Sequence, residues 1–274
     1  ATSLTHEQVV TYQDLNSMNL RHWPVLYAAT CYFLRWDSTT RSGAEILFAN
    51  PNGGVIAAIS ATRPAYISLN GELSATMGRN LLNRDDRGYI VPIGEGYRQA
   101  KNDYRNMSGH LVSNENKLRY VLLGDPALRM ALPSHRVVLE SVDGKAITPL
   151  DGDDEPVTLM ARQTATLKGR VVSAADGSTL SDFNGTVNAT VYDAEESYTT
   201  RGNGKDGQPV SYDQQGNRLT VGTAKVTNGE FSMTVSMPAE IANNYRPGAI
   251  NLYAYSTAKG KEAAGVCRQL YVYG

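Results

Sequence analysis

The apolar pattern of this chain changes at Pro133. Before that position, short apolar runs alternate with segments of helical periodicity, and after it short alternating strands predominate. At 274 residues the chain also exceeds the size at which a single core usually stops growing. The sequence therefore predicts two domains of different architecture, the first α/β and the second all-β.

In the first half, a strand, a helix and a second strand follow one another. Residues 25–30 and 54–60 are near-continuous apolar runs, which are typical of parallel strands covered on both faces. Residues 42–49 have helical character and end in an Asn-Pro-Asn-Gly stop signal. This order predicts a right-handed crossover between two parallel strands. Two more helices and one more strand are predicted over residues 69–82, 96–107 and 119–123.

Strand signals dominate the second half. Alternating apolar residues predict strands over residues 186–192 and 249–255. The dipeptide Asn228-Gly229 lies between two strand-like runs and is a strong hairpin signal. The Gly-, Asp- and Gln-rich residues 201–217 predict a long solvated loop.

The two patterns lead to a domain assignment. We assign residues 1–132 to the α/β domain, residues 133–163 to connecting strands and a linker, and residues 164–274 to the all-β domain. Short strands separated by turn residues predict that this last domain is an immunoglobulin-like β-sandwich.

Charge and ligand spacing exclude several classes of function. The formal net charge is -1 and the chain has no long basic block, so the footprint of a nucleic-acid-binding protein is absent. No pair of Cys or His has the spacing of metal ligands, so we predict neither a metal nor a cofactor. Residues 151–155 are acidic but lack the calcium-loop signature, and we interpret them as a surface turn.

Cys31 is the candidate catalytic residue. It closes the first predicted strand, and in an open α/β sheet this end of a strand usually presents reactive groups. The alternative is that Cys31 packs as a small buried hydrophobe, as free cysteines often do. A cysteine nucleophile needs a base, and His6 could supply it, although no spacing rule requires that. Cys267 lies in a strand-like run and needs no role beyond packing.

Several blocks of sequence on both sides of Cys31 resemble a known family. They are Ala29-Thr30-Cys31, Phe33, Arg35, Asp37, residues 42–45, residues 50–54, Arg98, residues 100–102, residues 120–128, residues 180–187, residues 190–193 and residues 262–265. Together they resemble the gingipain-type cysteine peptidases, family C25, and within that family the sortases of the bacterial type IX secretion system. The resemblance covers nearly the whole chain.

The resemblance implies a fold and a catalytic pair. It implies a caspase-like (gingipain-like) α/β catalytic domain, present here in part, followed by an immunoglobulin-like domain. The family uses a His-Cys dyad in which Cys31 matches the cysteine. In the family, the histidine motif lies just before a segment that is similar to residues 1–7. The catalytic base is therefore expected upstream of Ala1, and His6 corresponds to a position after the catalytic histidine. The resemblance therefore implies that the chain is the carboxyl-side part of a larger protein and has no catalytic activity on its own.

The resemblance also implies a function. Such a protein would cleave carboxyl-terminal secretion signals from cargo proteins at the bacterial cell surface, and could transfer the cargo to lipopolysaccharide. Its partners would be the cargo and an outer-membrane shuttle protein. Members of the family commonly have an acidic residue directly after the nucleophile, whereas this chain has Tyr32 there. This difference affects the expected substrate specificity more than the expected class of enzyme. The alternative is a non-catalytic scaffold or binding module with a vestigial thiol, because the 16 tyrosines also suit protein contacts.

Overall fold

The computed structural model describes residues 10–104, 115–151, 155–203 and 207–274. The chain divides into two compact units. The first consists of Ala1–Asp85 and Ile90–Leu132, and the second of Asp86–Tyr89 and Pro133–Gly274. The main division lies at Pro133, where the apolar pattern of the sequence changes.

The first unit mixes helices and strands. In chain order its described elements are α1 Tyr12–Ser17, β1 Val25–Ala28, α2 Gly43–Phe48, β2 Ala57–Ala61, α3 Ile67–Leu81, α4 Ile93–Asp103, α5 Glu115–Arg119 and β3 Tyr120–Leu123. The strands and helices predicted from the sequence of this half are all present, with ends shifted by at most four residues. Residues 105–107 of the predicted 96–107 helix lie outside the described part of the chain. The helix predicted over residues 96–107 begins earlier, directly after Pro92, because proline suits a helix start and not a helix interior.

The sheet of the first unit has the order β1-β2-β3. Strands β1 and β2 are parallel, with Val25 opposite Ala57 and Ala28 opposite Ser60. Helix α2 lies between them in the chain, so the predicted strand-helix-strand unit with parallel strands is confirmed. Strand β3 is antiparallel to β2. Because β1 and β2 run in the same direction, the residues that follow both strands lie at the same edge of the sheet.

Strand β2 is the buried centre of this unit. Its alternate residues Ala57, Ile59 and Ala61 pack into an apolar cluster with α3 and α4. Ala58 points to the other face and joins a cluster with residues of α1 and α2. A strand covered on both faces explains the continuous apolar run seen in the sequence.

The second unit is all-β. Its strands are β4 His135–Val142, β5 Lys145–Ala146, β6 Thr158–Met160, β7 Thr164–Ser173, β8 Gly185–Tyr192, β9 Glu196–Thr199, β10 Ser211–Gln214, β11 Arg218–Thr227, β12 Glu230–Ser236, β13 Arg246–Pro247, β14 Ala249–Ser256, β15 Lys261–Cys267 and β16 Tyr271–Tyr273. The predicted strands over residues 186–192 and 249–255 are confirmed as β8 and β14. Their predicted inward faces, which include Val187, Val191 and Leu252, are buried.

The main sheet of this unit closes on itself. Its order is β15-β14-β8-β11-β12-β7-β4-β5, and β15 pairs in addition with β4, where Ala263 lies opposite His135. Seven strands thus form a barrel-like ring, instead of the two facing sheets of the expected immunoglobulin-like sandwich. The reason is β4, which lies in the segment assigned to connecting strands and a linker (residues 133–163). By pairing with both β7 and β15 it joins the two ends of the sheet.

The described residues of the 201–217 segment differ from the expected loop, and residues 204–206 lie outside the described part of the chain. Strand β10 lies within it and pairs with β9. All four residues of β10 are exposed, so the strand has no buried face that would produce an apolar alternation. Tyr198 and Tyr212 stack across this pair with ring centroids 5.9 Å apart.

The predicted hairpin is confirmed between β11 and β12. Val226 pairs with Phe231 and Thr227 with Glu230, which leaves Asn228 and Gly229 as the two turn residues. Both have positive φ, 53° and 81°, as a type I′ turn requires. Asn-Gly is the preferred sequence for this geometry because neither residue is strongly penalised there.

A comparison of Gly229 with Gly144 separates the energetic cost of overpacking from the cost of backbone strain. Gly229 and Gly144 share a φ of +81°, but a Cβ at Gly229 would lie 2.5 Å from the Leu180 carbonyl oxygen, whereas a Cβ at Gly144 meets nothing within 4 Å. We expect Gly144→Ala to lower the free energy of unfolding by about 1 kcal/mol. Gly229→Ala should cost about 3 kcal/mol because overpacking adds to the strain. Urea unfolding of both variants measures the difference, and equal losses would contradict the close approach.

None of the helices in the described residues is long and apolar enough to cross a membrane.

Candidate active site

Cys31 lies on the turn that follows β1. The strand ends at Ala28, and the Thr30 N–H donates to the Ala28 carbonyl at 2.9 Å, which turns the chain away from the sheet. Tyr32, the next residue after the cysteine, has a φ of 58°. This left-handed conformation is unusual for a bulky residue and is found more often at functional sites. Cys31 itself is half-buried and forms no disulfide.

The thiol contacts the chain that follows the neighbouring parallel strand. Cys31 Sγ accepts a hydrogen bond from the Ala65 N–H at 3.1 Å and lies 3.5 Å from the Ala65 carbonyl oxygen, to which it can donate. The expected position of Cys31 at the carboxyl edge of the sheet is therefore observed. The Ala65 N–H is directed at the sulfur, so it stabilises negative charge on that atom.

A buried asparagine holds the segment that contacts the thiol. Asn116 at the start of α5 is completely buried. Its side chain accepts from the Tyr66 N–H and donates to the Tyr66 carbonyl, both at 2.9 Å. One side chain thus satisfies both backbone groups of the residue next to Ala65. The position of the thiol's partner therefore depends on a contact with α5.

Asn70 connects the two sides of the site. Its amide nitrogen donates to the Ala29 carbonyl at 3.3 Å, and its carbonyl oxygen accepts from Asn116 at 3.0 Å and from the Tyr120 hydroxyl at 2.9 Å. The chain just before Cys31 and the chain just after Ala65 are therefore tied to one polar network. Burial raises the pKa of Tyr120, which keeps its hydroxyl protonated and able to donate.

The sequence analysis did not identify Asn70, Asn116 or Tyr120 as site residues. Asn116 and Tyr66 are 50 residues apart in the chain, and no periodicity or motif relates them. Tyr120 was recognised only as part of the strand predicted over residues 119–123 and of a block that resembles the family. A buried polar network can be found only when the fold brings its members together.

An ion-pair cluster joins the turn after Cys31 to the end of β2. Asp37 accepts from Arg35 Nε at 2.9 Å and from Arg63 at 2.7 Å. The hydrogen bond from Arg35 is the main reason that the pKa of Asp37 is lowered. Since all three side chains are about half exposed, the cluster contributes to the electrostatics of this surface more than to stability.

The histidines do not complete a dyad within the described residues. His22 is exposed before β1, and His135 belongs to the second unit. His6 and His110 lie outside the described part of the chain. The hydrogen-bond partner of the Cys31 thiol is the Ala65 backbone, and no described histidine bonds to it.

The second cysteine and the acidic residues show no sign of a second site. Cys267 is buried at the end of β15, and burial raises the pKa of its thiol, as expected for a cysteine that packs against its neighbours. No group of three or more His, Cys, Asp or Glu side chains in the described ranges could hold a metal ion. Part of the acidic segment 151–155 lies outside those ranges.

Several solved structures are similar to this chain, and three of them are the following. The crystal structure of dimeric latent PorU from Porphyromonas gingivalis is 27% identical, with a TM-score of 0.49, over 81% of this chain and 20% of that chain. A structure described as a protease is 13% identical, with a TM-score of 0.39, over 99% of this chain and 52% of that one. The sporulation control protein Spo0M from Bacillus subtilis is 11% identical, with a TM-score of 0.27, over 51% and 49% of the two chains. This chain thus spans a fifth of PorU and about half of the protease.

No curated protein matched the chain significantly. The model of peptidase family C25 matches residues 1–131. This range contains the whole site described above, namely the turn that carries Cys31, the Ala65 backbone that contacts the Cys31 thiol, and the Asn70-Asn116 network. The α/β part of the chain, residues 1–131, is therefore similar to peptidase family C25.

Proposed function

We propose that this chain forms part of a cysteine peptidase whose nucleophile is Cys31. The observation that carries the proposal is the contact of its half-buried thiol with the Ala65 N–H at 3.1 Å, at the shared edge of two parallel strands. Reactive groups are usually presented at this edge of an α/β sheet. The match of residues 1–131 to a peptidase family supports the same assignment.

The proposed reaction is acyl transfer. The Cys31 sulfur attacks a peptide carbonyl, so a C–S bond forms, and the C–N bond breaks when the leaving amine takes up a proton. Water then hydrolyses the thioester, which releases the new carboxylate and restores the thiol. The Cys31 N–H donates no hydrogen bond to any residue that the structure describes, and it is therefore available to the oxyanion. The proton would come from a histidine upstream of Ala1, as the resemblance implies.

The substrate assignment rests on the sequence resemblance. We infer that the substrates are cargo proteins with carboxyl-terminal secretion signals. An amine on lipopolysaccharide could replace water in the second step and make the enzyme a sortase. An outer-membrane shuttle protein would be its partner at the cell surface. The three strands and their flanking helices would then be part of a caspase-like catalytic domain.

A non-catalytic role is the second candidate. It is favoured by one observation, namely that no described histidine bonds to Cys31. In that case the chain would be a scaffold or binding module of the secretion machinery with a vestigial thiol. The two candidates differ in whether the thiol reacts as an activated nucleophile.

A thiol-reactive peptide probe distinguishes the candidates. We expect a peptidyl acyloxymethyl ketone to label Cys31 rapidly in the protein extended upstream of Ala1, and at least a hundredfold more slowly in residues 1–274 alone or after the upstream histidine is changed to alanine. Mass spectrometry of the labelled peptide identifies the cysteine, and Cys267 provides the internal control. Equal labelling rates in all three proteins would favour the scaffold.

A further inference from the structure

A cavity of about 510 Å³ opens beside the residue that follows the nucleophile. Its walls include Tyr12 of α1 and Tyr32, together with Arg35, Arg41 and Ser42 from the segment before α2. Tyr32 is covalently next to Cys31, so the cavity wall includes the residue adjacent to the nucleophile. A peptide that reacts with Cys31 rises about 3.3 Å per residue when extended. A side chain within about three residues of the scissile bond would therefore reach the cavity.

Arg41 is an unneutralised cation at this cavity. It is exposed, and it makes no ion pair or hydrogen bond with any residue in the described ranges. Most exposed arginines gain little from such pairs, but Arg41 borders a concave surface and not an open one. An anionic ligand group in the cavity would give it a partner.

Arg35 adds a second set of donors. Its Nε donates to Asp37, and its guanidinium carbon lies 5.6 Å from the centre of the Tyr32 ring. The two contacts hold the side chain in place, while its terminal nitrogens donate to no residue that the structure describes. A fixed guanidinium with free terminal N–H groups matches the geometry of a carboxylate.

The charge around the cavity is positive overall. Asp37 is shared between Arg35 and Arg63, and the Glu45 carboxylate accepts hydrogen bonds from Ser42 at the wall. Two carboxylates thus face three guanidinium groups, the third being that of Arg41. The aromatic rings of Tyr12 and Tyr32 form the less polar part of the wall. This combination complements a short anionic side chain better than a cationic or a purely apolar one.

We propose that this cavity binds the carboxylate of an acidic side chain, Asp or Glu, in the peptide substrate, within three residues of the scissile bond. This proposal rests on the proposed function, because it assigns a specificity to the same nucleophile. Arg41 is the principal determinant, and Arg35 orients the carboxylate. The cavity selects the peptide and takes no part in the bond-making step.

The test compares peptide pairs that differ only by Glu or Gln. The protein extended upstream of Ala1 is assayed with a library of fluorogenic peptides. Each peptide carries Glu at one of the three positions on either side of the scissile bond, and its matched partner carries Gln at the same position. We expect Glu to be preferred about tenfold in kcat/KM at one or more positions, mainly through KM. Arg41→Gln should reduce the preference to about one, and Arg41→Lys should retain part of it.

Arg21 provides the matched control. It is also exposed and makes no ion pair within the described residues, but it does not line the cavity. Arg21→Gln should therefore leave the Glu preference unchanged. The preference should also fall as salt is raised, because the arginines are partly exposed. Equal rates for the Glu and Gln peptides in the unmodified protein, or an unchanged preference in Arg41→Gln, would overturn the proposal.

Failure of the peptidase assignment can be distinguished from failure of the proposed acidic specificity. If no peptide is cleaved in a Cys31-dependent manner, the same fluorescent peptides are titrated against the Cys31→Ala protein by anisotropy. Tighter binding of Glu peptides that is lost in Cys31→Ala/Arg41→Gln would support the cavity as a binding site without cleavage. Equal binding of both peptides would overturn it.

Discussion

Replacing Cys31 with alanine is expected to reduce peptide cleavage to the uncatalysed background, a loss on the order of a million-fold in kcat. The reason is that the sulfur is the atom that forms the covalent bond, and no other described side chain at the site can replace it. The change removes a half-buried thiol whose hydrogen bonds are to the Ala65 backbone. The measurement is steady-state cleavage by the protein extended upstream of Ala1.

Cys267→Ala is the matched control for this prediction. Cys267 is buried in the second unit, so its loss should lower stability slightly and leave kcat unchanged. Circular dichroism and thermal unfolding should show that both variants fold. If Cys31→Ala retained a substantial part of the activity, the nucleophile would be another group and the assignment of Cys31 would fail.

The second large effect is expected for Asn116→Ala. This change removes a fully buried side chain and leaves the Tyr66 N–H without its partner, whereas the Tyr66 carbonyl still accepts from the Leu69 and Asn70 N–H groups. The unsatisfied N–H costs about 1 to 3 kcal/mol. The lost hydrogen bond to Asn70 and the vacated buried space add to this cost, so we expect a loss of about 3 kcal/mol in the free energy of unfolding. Ala65 is adjacent to Tyr66, so kcat should also fall, by about tenfold to a hundredfold.

Asn102→Ala on α4 is the control, because the Asn102 side chain is exposed and makes no hydrogen bond within the described residues. It should change neither stability nor activity measurably. Asn116→Ala is compared with it by urea unfolding and by the rate at which Cys31 reacts with the peptide probe. A stability loss without a slower reaction would show that Asn116 supports the fold and does not position the thiol.

Most elements of the α/β half were predictable because they have local signatures, but the short helices α1 and α5 were not predicted. Strand β2 is buried on both faces, and its sequence is therefore a near-continuous apolar run. The hairpin at Asn228-Gly229 was predictable for a similar reason, since two adjacent residues with positive φ strongly prefer this dipeptide. In both cases a few neighbouring residues contain the whole signal.

The closure of the second unit was not predictable in this way. It depends on the pairing of Ala263 in β15 with His135 in β4, two residues that are far apart in the chain. Their apolar patterns indicate strands but not which strands are neighbours. Strand β10 was missed for a different reason, because all of its residues are exposed and it buries no face.

The sequence by itself determined the change from α/β to all-β structure at Pro133, the strand that leads to Cys31 and the likeness to family C25. These depend on local periodicity and on the identity of residues close together in the chain. Only the tertiary structure decided what surrounds the thiol. The Ala65 backbone, the Asn70-Asn116 network and the Arg41 cavity come from separate elements, and hydrogen bonds and charges between such elements exist only after the sheet has formed.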